Sequence, residues 1–166
     1  MEKYDTIIGV DPGASGAIAV YINGKSVAHK TPVIKIGEGE DAEIDIVASI
    51  HAHLELLSMY NNGNPFCVIE KVGGRHGDAA FKAFNFGKTF GIMLACLTAC
   101  HIPFEQVHPK TWQKYYGMKR DKGDSDTKWK NTLKAKAQDL YPAHTVTLWS
   151  ADALLLMNYA NKIYNK

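Results

Sequence analysis

Thr6-Ile7-Ile8-Gly9-Val10-Asp11-Pro12-Gly13-Ala14-Ser15-Gly16-Ala17-Ile18-Ala19-Val20-Tyr21 is the stretch that decides the fold. It holds two apolar runs, expected as strands over 5–11 and 16–22, around a turn that opens on Asp11-Pro12-Gly13. Asn23-Gly24 follows at once, a two-residue hairpin signal that places a third strand over 25–31. Three strands joined by tight turns form an antiparallel meander. The first of them ends in an acid, and a carboxylate at the end of a buried strand is costly unless something compensates it. A bound metal is one such compensation.

Outward from this stretch, the pattern changes to alternating helix and strand. Residues 32–42 read as an irregular connector. Residues 43–60 carry helical spacing, with Ile46, Val47, Ile50, Leu54 and Leu57 on one face, and Asn61-Asn62-Gly63-Asn64-Pro65 ends the helix. Phe66-Cys67-Val68-Ile69-Glu70 reads as a buried strand, again ending in an acid. A loop over 72–77 leads to a long helix over about 79–100, with Asp78 placed to cap it. Pro103 to Val107 reads as a strand, Pro109 as the start of a helical turn, and 117–126 as a polar loop. Thr127 to Leu140 forms a basic helix, and Ser150 is placed to cap a last helix over 151–163. The expected class is α/β: one mixed sheet with antiparallel first strands, flanked by helices, in a single domain over 1–166.

Composition narrows the function classes. Apolar content of 46% and charged content of 22% are ordinary for a globular chain. No apolar run reaches the ~18–20 residues of a membrane span, and Glu2, Lys3 and Asp5 interrupt any signal-peptide pattern. The expectation is a cytoplasmic protein without a membrane or small-molecule cofactor. Three cysteines, Cys67, Cys96 and Cys100, argue against a disulfide framework. Cys96 and Cys100 could share a helix face and bind metal with His101, but small buried side chains are the expectation. Charge is uneven. Residues 110–136 hold nine Lys/Arg and three acids, or +6, whereas the remainder holds ten and fourteen, or −4. A basic segment beside an acidic remainder suggests a polyanionic partner, or else a solvated helix face.

The chemistry is expected from three acids. In an open α/β sheet, sites form at the carboxyl ends of strands. Asp11 and Glu70 both lie at such ends and would fall a few ångströms apart if their strands are parallel neighbours. Asp152 lies in the first turn of an otherwise apolar helix, where the dipole favours its charge. Each acid has a plainer reading: turn former, surface acid and capping residue. Together they form a hard oxygen set suited to Mg²⁺ or Mn²⁺.

These stretches carry a resemblance. Ile7-Gly9-Val10-Asp11-Pro12-Gly13-Gly16-Ala17-Ile18-Ala19, Val68-Ile69-Glu70-Lys71-Val72 and Ala151-Asp152-Ala153-Leu154-Leu155 are similar, in order, to motifs of RuvC-type Holliday junction resolvases. Val107-His108-Pro109-Lys110-Thr111-Trp112-Gln113-Lys114 resembles the phage-encoded branch. The resemblance implies a ribonuclease H-like fold, a homodimer, a branched DNA partner, and symmetric nicking of a four-way junction with two Mg²⁺ or Mn²⁺ ions per site. It implies Asp11, Glu70 and Asp152 as catalytic metal ligands and Lys110 as a catalytic lysine. It also implies DNA contacts by Arg75, His76, Lys110, Lys114, Lys119, Arg120, Lys122, Lys128 and Lys130.

The chain departs from the family pattern at one point. An acid three residues before the last one, or a His four before it, is replaced here by Trp149 and Leu148. Asp124, Asp126 and His144 are the substitutes open for the second ion, and slower turnover or altered metal preference is expected. Trp112, Tyr115, Tyr116 and Trp129 interleave with the lysines and could stack on unpaired bases, although the two tryptophans also suit core positions. Phe81, Phe84, Phe86 and Phe90 suit the core of the long helix, with an exposed face available for a dimer contact. Three readings compete with the main one: another ribonuclease H-like nuclease acting on RNA–DNA hybrids, a silent junction-binding protein, and an actin-like or sugar-kinase ATPase.

Overall fold

The computed structural model describes residues 3–37, 42–73 and 79–165. The opening meander forms as expected: β1 (Thr6–Asp11), β2 (Ala17–Ile22) and β3 (Lys25–Lys30) are joined antiparallel. Asn23 and Gly24 turn the second hairpin with φ of 51° and 76°, the left-handed pair that a two-residue turn requires. The connector contains a short antiparallel pair, β4 (Lys35–Ile36) and β5 (Glu43–Ile44), that the sequence reading left irregular. Two residues per strand are too few for alternation to register.

The first helix, α1 (Ile46–Ser58), begins three residues later than expected because Asp45 caps it, accepting from Ala48 N. β6 (Pro65–Glu70) then pairs parallel to β1, and β7 (Phe104–Val107) pairs parallel to β6. The five-stranded sheet runs β3-β2-β1-β6-β7. Between β6 and β7 lies α2 (Ala80–Ala99), whose cap position is Ala79 without a side-chain bond; Asp78, expected there, lies outside the described residues. The chain closes with α3 (Pro109–Tyr115), α4 (Asp126–Leu140) and α5 (Ala151–Tyr164). Ser125 caps α4 by accepting from Lys128 N. Ser150 does not cap α5: its hydroxyl accepts from Thr147 N in the preceding turn instead.

Both sheet faces are covered, which is why the central strands read as unbroken apolar runs. Side-chain alternation splits them. Ile8, Val10, Ile18, Val20, Cys67 and Ile69 pack with α1 and α2, with Leu57, Met93 and Leu97 among them. Ile7, Ala17, Ala19, Phe66 and Val68 pack with α3, α4 and α5, through Trp112, Trp129, Leu133 and the run Ala153–Met157. Full burial of each large side chain contributes roughly 1.5–3 kcal/mol. Gly9 sets the depth of this second layer. A Cβ there would lie 2.5 Å from Ala153 O and closer still to Met157 N, so only glycine lets α5 rest against β1.

Candidate functional site

Parity and register bring two acids to one place. Asp11 shares the α5 face of β1 with Ile7 and Gly9, and Glu70 shares that face of β6 with Phe66 and Val68. Val10 pairs with Ile69 in the parallel register, so Asp11 and Glu70 are the next positions on adjacent strands. The close seat of α5 on β1 brings Asp152, in the first turn of α5, to the same end. All three are half-buried.

The local turn around Asp11 is tightly fitted. Gly13 N donates to Asp11 Oδ1 at 3.4 Å, and Gly16 N donates to Gly13 O at 2.8 Å. A Cβ on Gly16 would collide with Asp11 O and come within 2.9 Å of its carboxyl carbon. Glycine at this turn is therefore a condition for the Asp11 carboxylate to sit where it does.

Asp152 senses the charge of Asp11. Burial raises the Asp11 carboxyl above its ordinary range, against the lowering effects of the Gly13 N–H and Lys130. Burial, and then the Asp11 charge, push Asp152 up to about 7; Lys130 opposes this. Among the described residues expected to contact DNA, Lys130, exposed on α4, is thus the one basic side chain whose field acts on both acids. Glu70 is held differently. The indole of Trp112 donates from Nε1 to Glu70 Oε2 at 3.0 Å.

The three acids share one end of the sheet without closing into a ready ligand set. Among the described residues, no three His, Cys, Asp or Glu side chains stand close enough to hold an ion as they are. The donor chemistry nonetheless suits a hard divalent cation. Burial raises the proton affinity of both Asp11 and Asp152, the Asp11 charge raises that of Asp152 further, all donors are oxygens, and a cation would relieve the repulsion.

The proposed substitutes for a fourth acid are occupied elsewhere. Asp124 pairs with Lys128 Nζ at 2.6 Å, and Asp126 with Arg120 at 2.7 Å. His144 Nε2 shares a hydrogen bond with Ser26 Oγ at 2.8 Å. Trp149 packs half-buried on the α5-side core, with Lys30 Nζ 5.7 Å from its ring centre. Cys96 and Cys100 are buried, and Cys96 Sγ faces Ile50 O rather than His101, so the plain reading of these thiols holds.

Of the expected DNA contacts, Lys110, Lys114, Lys119, Arg120, Lys122, Lys128 and Lys130 are exposed, although Arg120 and Lys128 already hold acids. Arg75 and His76 lie outside the described residues. The core reading of the two tryptophans holds: Trp112 and Trp129 are buried. The Tyr116 hydroxyl is tied to Leu155 O at 2.7 Å, and Tyr115, 45% exposed, remains outward. Phe81 and Phe84 are exposed, whereas Phe86 and Phe90 are half-buried.

A pocket of about 510 Å³ opens beside Glu70, lined by Lys71, Lys82, Phe86, Phe90 and Pro109 among others. The sequence reading missed it, and missed the Trp112 bond. The signal for the bond was present in the order of elements: a strand ending at Val107 beside Glu70 must deliver the next helix to that acid.

No protein-family model and no curated protein matches the sequence. Solved structures do. The fold is similar to that of Thermus thermophilus RuvC in complex with a Holliday junction substrate, with a TM-score of 0.58 and 19% identity over 94% of this chain and 92% of that one. A second Thermus thermophilus RuvC structure aligns with a TM-score of 0.56 and 14% identity, over 95% of this chain and 96% of the other. The chain therefore has the ribonuclease H-like fold that its motifs implied, with Asp11, Glu70 and Asp152 gathered at one end of its sheet.

Proposed function

We propose that this protein is a divalent-metal-dependent endonuclease that resolves four-way DNA junctions by paired, symmetric nicks. The observation that carries the reading is the Asp11–Asp152 pair, two mutually repelling half-buried carboxylates beside Glu70 in a RuvC-like fold. Asp11, Asp152 and Glu70 would hold the metal, Mg²⁺ or Mn²⁺. When bound, such ions activate a water and stabilise the leaving oxygen of a phosphodiester.

The remaining work belongs to the chain. Lys130 offsets the charge of both acids and keeps them poised to ionise. Lys71 and Lys82 offer cations to phosphates at the pocket beside Glu70, and Phe86 and Phe90 give it apolar walls against which a base can lie. Lys110 and Lys114 on α3, with the lysines of α4, extend the basic surface along the duplex arms. The exposed Phe81 and Phe84 on α2 suit contact with a second copy, which would set two sites on the two strands of a near-symmetric junction. The resemblance of the segment from Val107 to Lys114 supports placing the chain in the phage-encoded branch.

A second reading has a specific observation in its favour. Trp149 stands where a fourth acid is expected, and the three acids are not closed on one another. That arrangement suits a junction-binding protein without cleavage. A single assay separates the readings: labelled four-way junction, linear duplex and RNA–DNA hybrid, each with Mg²⁺ or Mn²⁺. Paired nicks confined to the junction support the endonuclease. Tight junction binding with intact strands in both metals supports the silent binder, and cleavage of the hybrid alone supports a different ribonuclease H-like nuclease.

A further inference from the structure

Trp112 is fully buried, at 0% exposure, in the core formed by α3, α4 and α5. Its indole N–H nevertheless reaches an acid of the site, donating to Glu70 Oε2 at 3.0 Å. The geometry points to Trp112 as the positioning residue of Glu70: its N–H fixes the carboxylate in the orientation from which it meets a divalent cation. The inference rests on the metal-site reading proposed above and deepens it.

Three features support the assignment. First, the indole is a donor only; it holds no exchangeable charge at neutral pH and accepts no proton, so its contribution to a carboxylate is orientation. Second, Trp112 is itself immobilised. α3 has only seven residues, starts on Pro109 at its first turn, and is anchored by this side chain against the core. A donor on a locked ring transmits that rigidity to its acceptor. Third, the register is fixed: Glu70 pairs with Val107, and α3 begins two residues after Val107. The bond is thus built into the β6–β7–α3 unit. Ligand carboxylates are ordinarily held by such outer hydrogen bonds, and removing one weakens metal binding by roughly 10–100-fold.

The test replaces Trp112 site-specifically with 3-benzothienylalanine, which keeps the shape of the bicyclic ring and lacks the N–H. Mn²⁺ affinity is read by electron paramagnetic resonance of the free ion, beside the thermal midpoint and kcat/KM on the junction. Trp112→Phe, which keeps an aromatic ring and lacks the donor, serves as a second variant if the first fails to fold. Glu70→Gln is the reference. The expected result is a folded protein with a thermal midpoint near wild type and Mn²⁺ affinity lower by roughly 10-fold or more. In the Glu70→Gln background the same replacement should add nothing, because the two groups act as one unit. Wild-type affinity in the benzothienyl variant, with affinity lost in Glu70→Gln, overturns the positioning role and leaves the metal site standing. Tighter Mn²⁺ binding also overturns it, since the indole would then hold Glu70 away from the ion. Wild-type affinity in Glu70→Gln overturns the Glu70 part of the metal reading and the positioning role with it.

Discussion

At the scale of single residues, two carboxylates of the site, Asp11 and Asp152, resist being charged together. Asp152 is raised from its ordinary 3.8 to about 7, first by burial and then by Asp11. A folded-state pKa above the unfolded one means that the native protein holds its proton more tightly. Its stabilising effect is complete below about 4 and lost as pH rises through about 7. In EDTA, the stability difference between wild type and Asp152→Asn should therefore move against the wild type across that window, and Mg²⁺ should reverse the trend. Denaturant midpoints at pH 4, 5.5 and 7.5 check this, and a flat difference would remove the buried pair from the explanation. Comparing the two proteins cancels His53, whose buried ring has a lowered pKa and gives a trend of opposite sign. The acids themselves were legible in the sequence, because each sits where a carboxylate is out of place. The Trp112 bond was not, since an aromatic residue among lysines suits a base-stacking surface as well as it suits a core.

At the scale of elements, the site depends on how closely α5 lies on β1. Gly9 permits that approach, and a Cβ there would run into the backbone of Ala153 and Met157. Backbone on a helix cannot step aside as a flexible side chain can. Gly9→Ala should cost ~3 kcal/mol or more in urea unfolding, and it should displace Asp152 from Asp11, so Mn²⁺ binding should weaken in whatever folded protein remains. A stability change below ~1 kcal/mol would show that the two elements can separate without cost. The strands and long helices were readable because apolar period and turn chemistry agreed over five residues or more. The β4–β5 pair was not, with two residues in each strand. Helix starts were readable only where the cap was local. Asp45 sits one residue before α1 and bonds into it, whereas Ser150 turns its hydroxyl back to the Thr147 turn.

At the scale of the whole molecule, the basic segment of +6 from residue 110 to 136 stays largely exposed on α3, the following connector and α4. Junction affinity should fall with salt in a straight line on a log–log plot, with a slope of ~0.9 per phosphate neutralised. Lys114→Ala should reduce that slope by close to one contact, and Lys128→Ala by less, because Lys128 already holds Asp124 at 2.6 Å. Equal slopes for wild type and Lys114→Ala would place the DNA elsewhere. Sequence alone identified this segment but not which of its lysines are engaged, because ion pairs such as Arg120–Asp126 depend on how the connector folds. The most direct test of the central claim is one tube read twice. A labelled four-way junction is bound in EDTA, then Mg²⁺ or Mn²⁺ is added to wild type and to Asp11→Asn. The account predicts a complex with both proteins and paired nicks with wild type alone. Nicking by Asp11→Asn at the wild-type rate, or an intact junction with wild type in both metals, would contradict it.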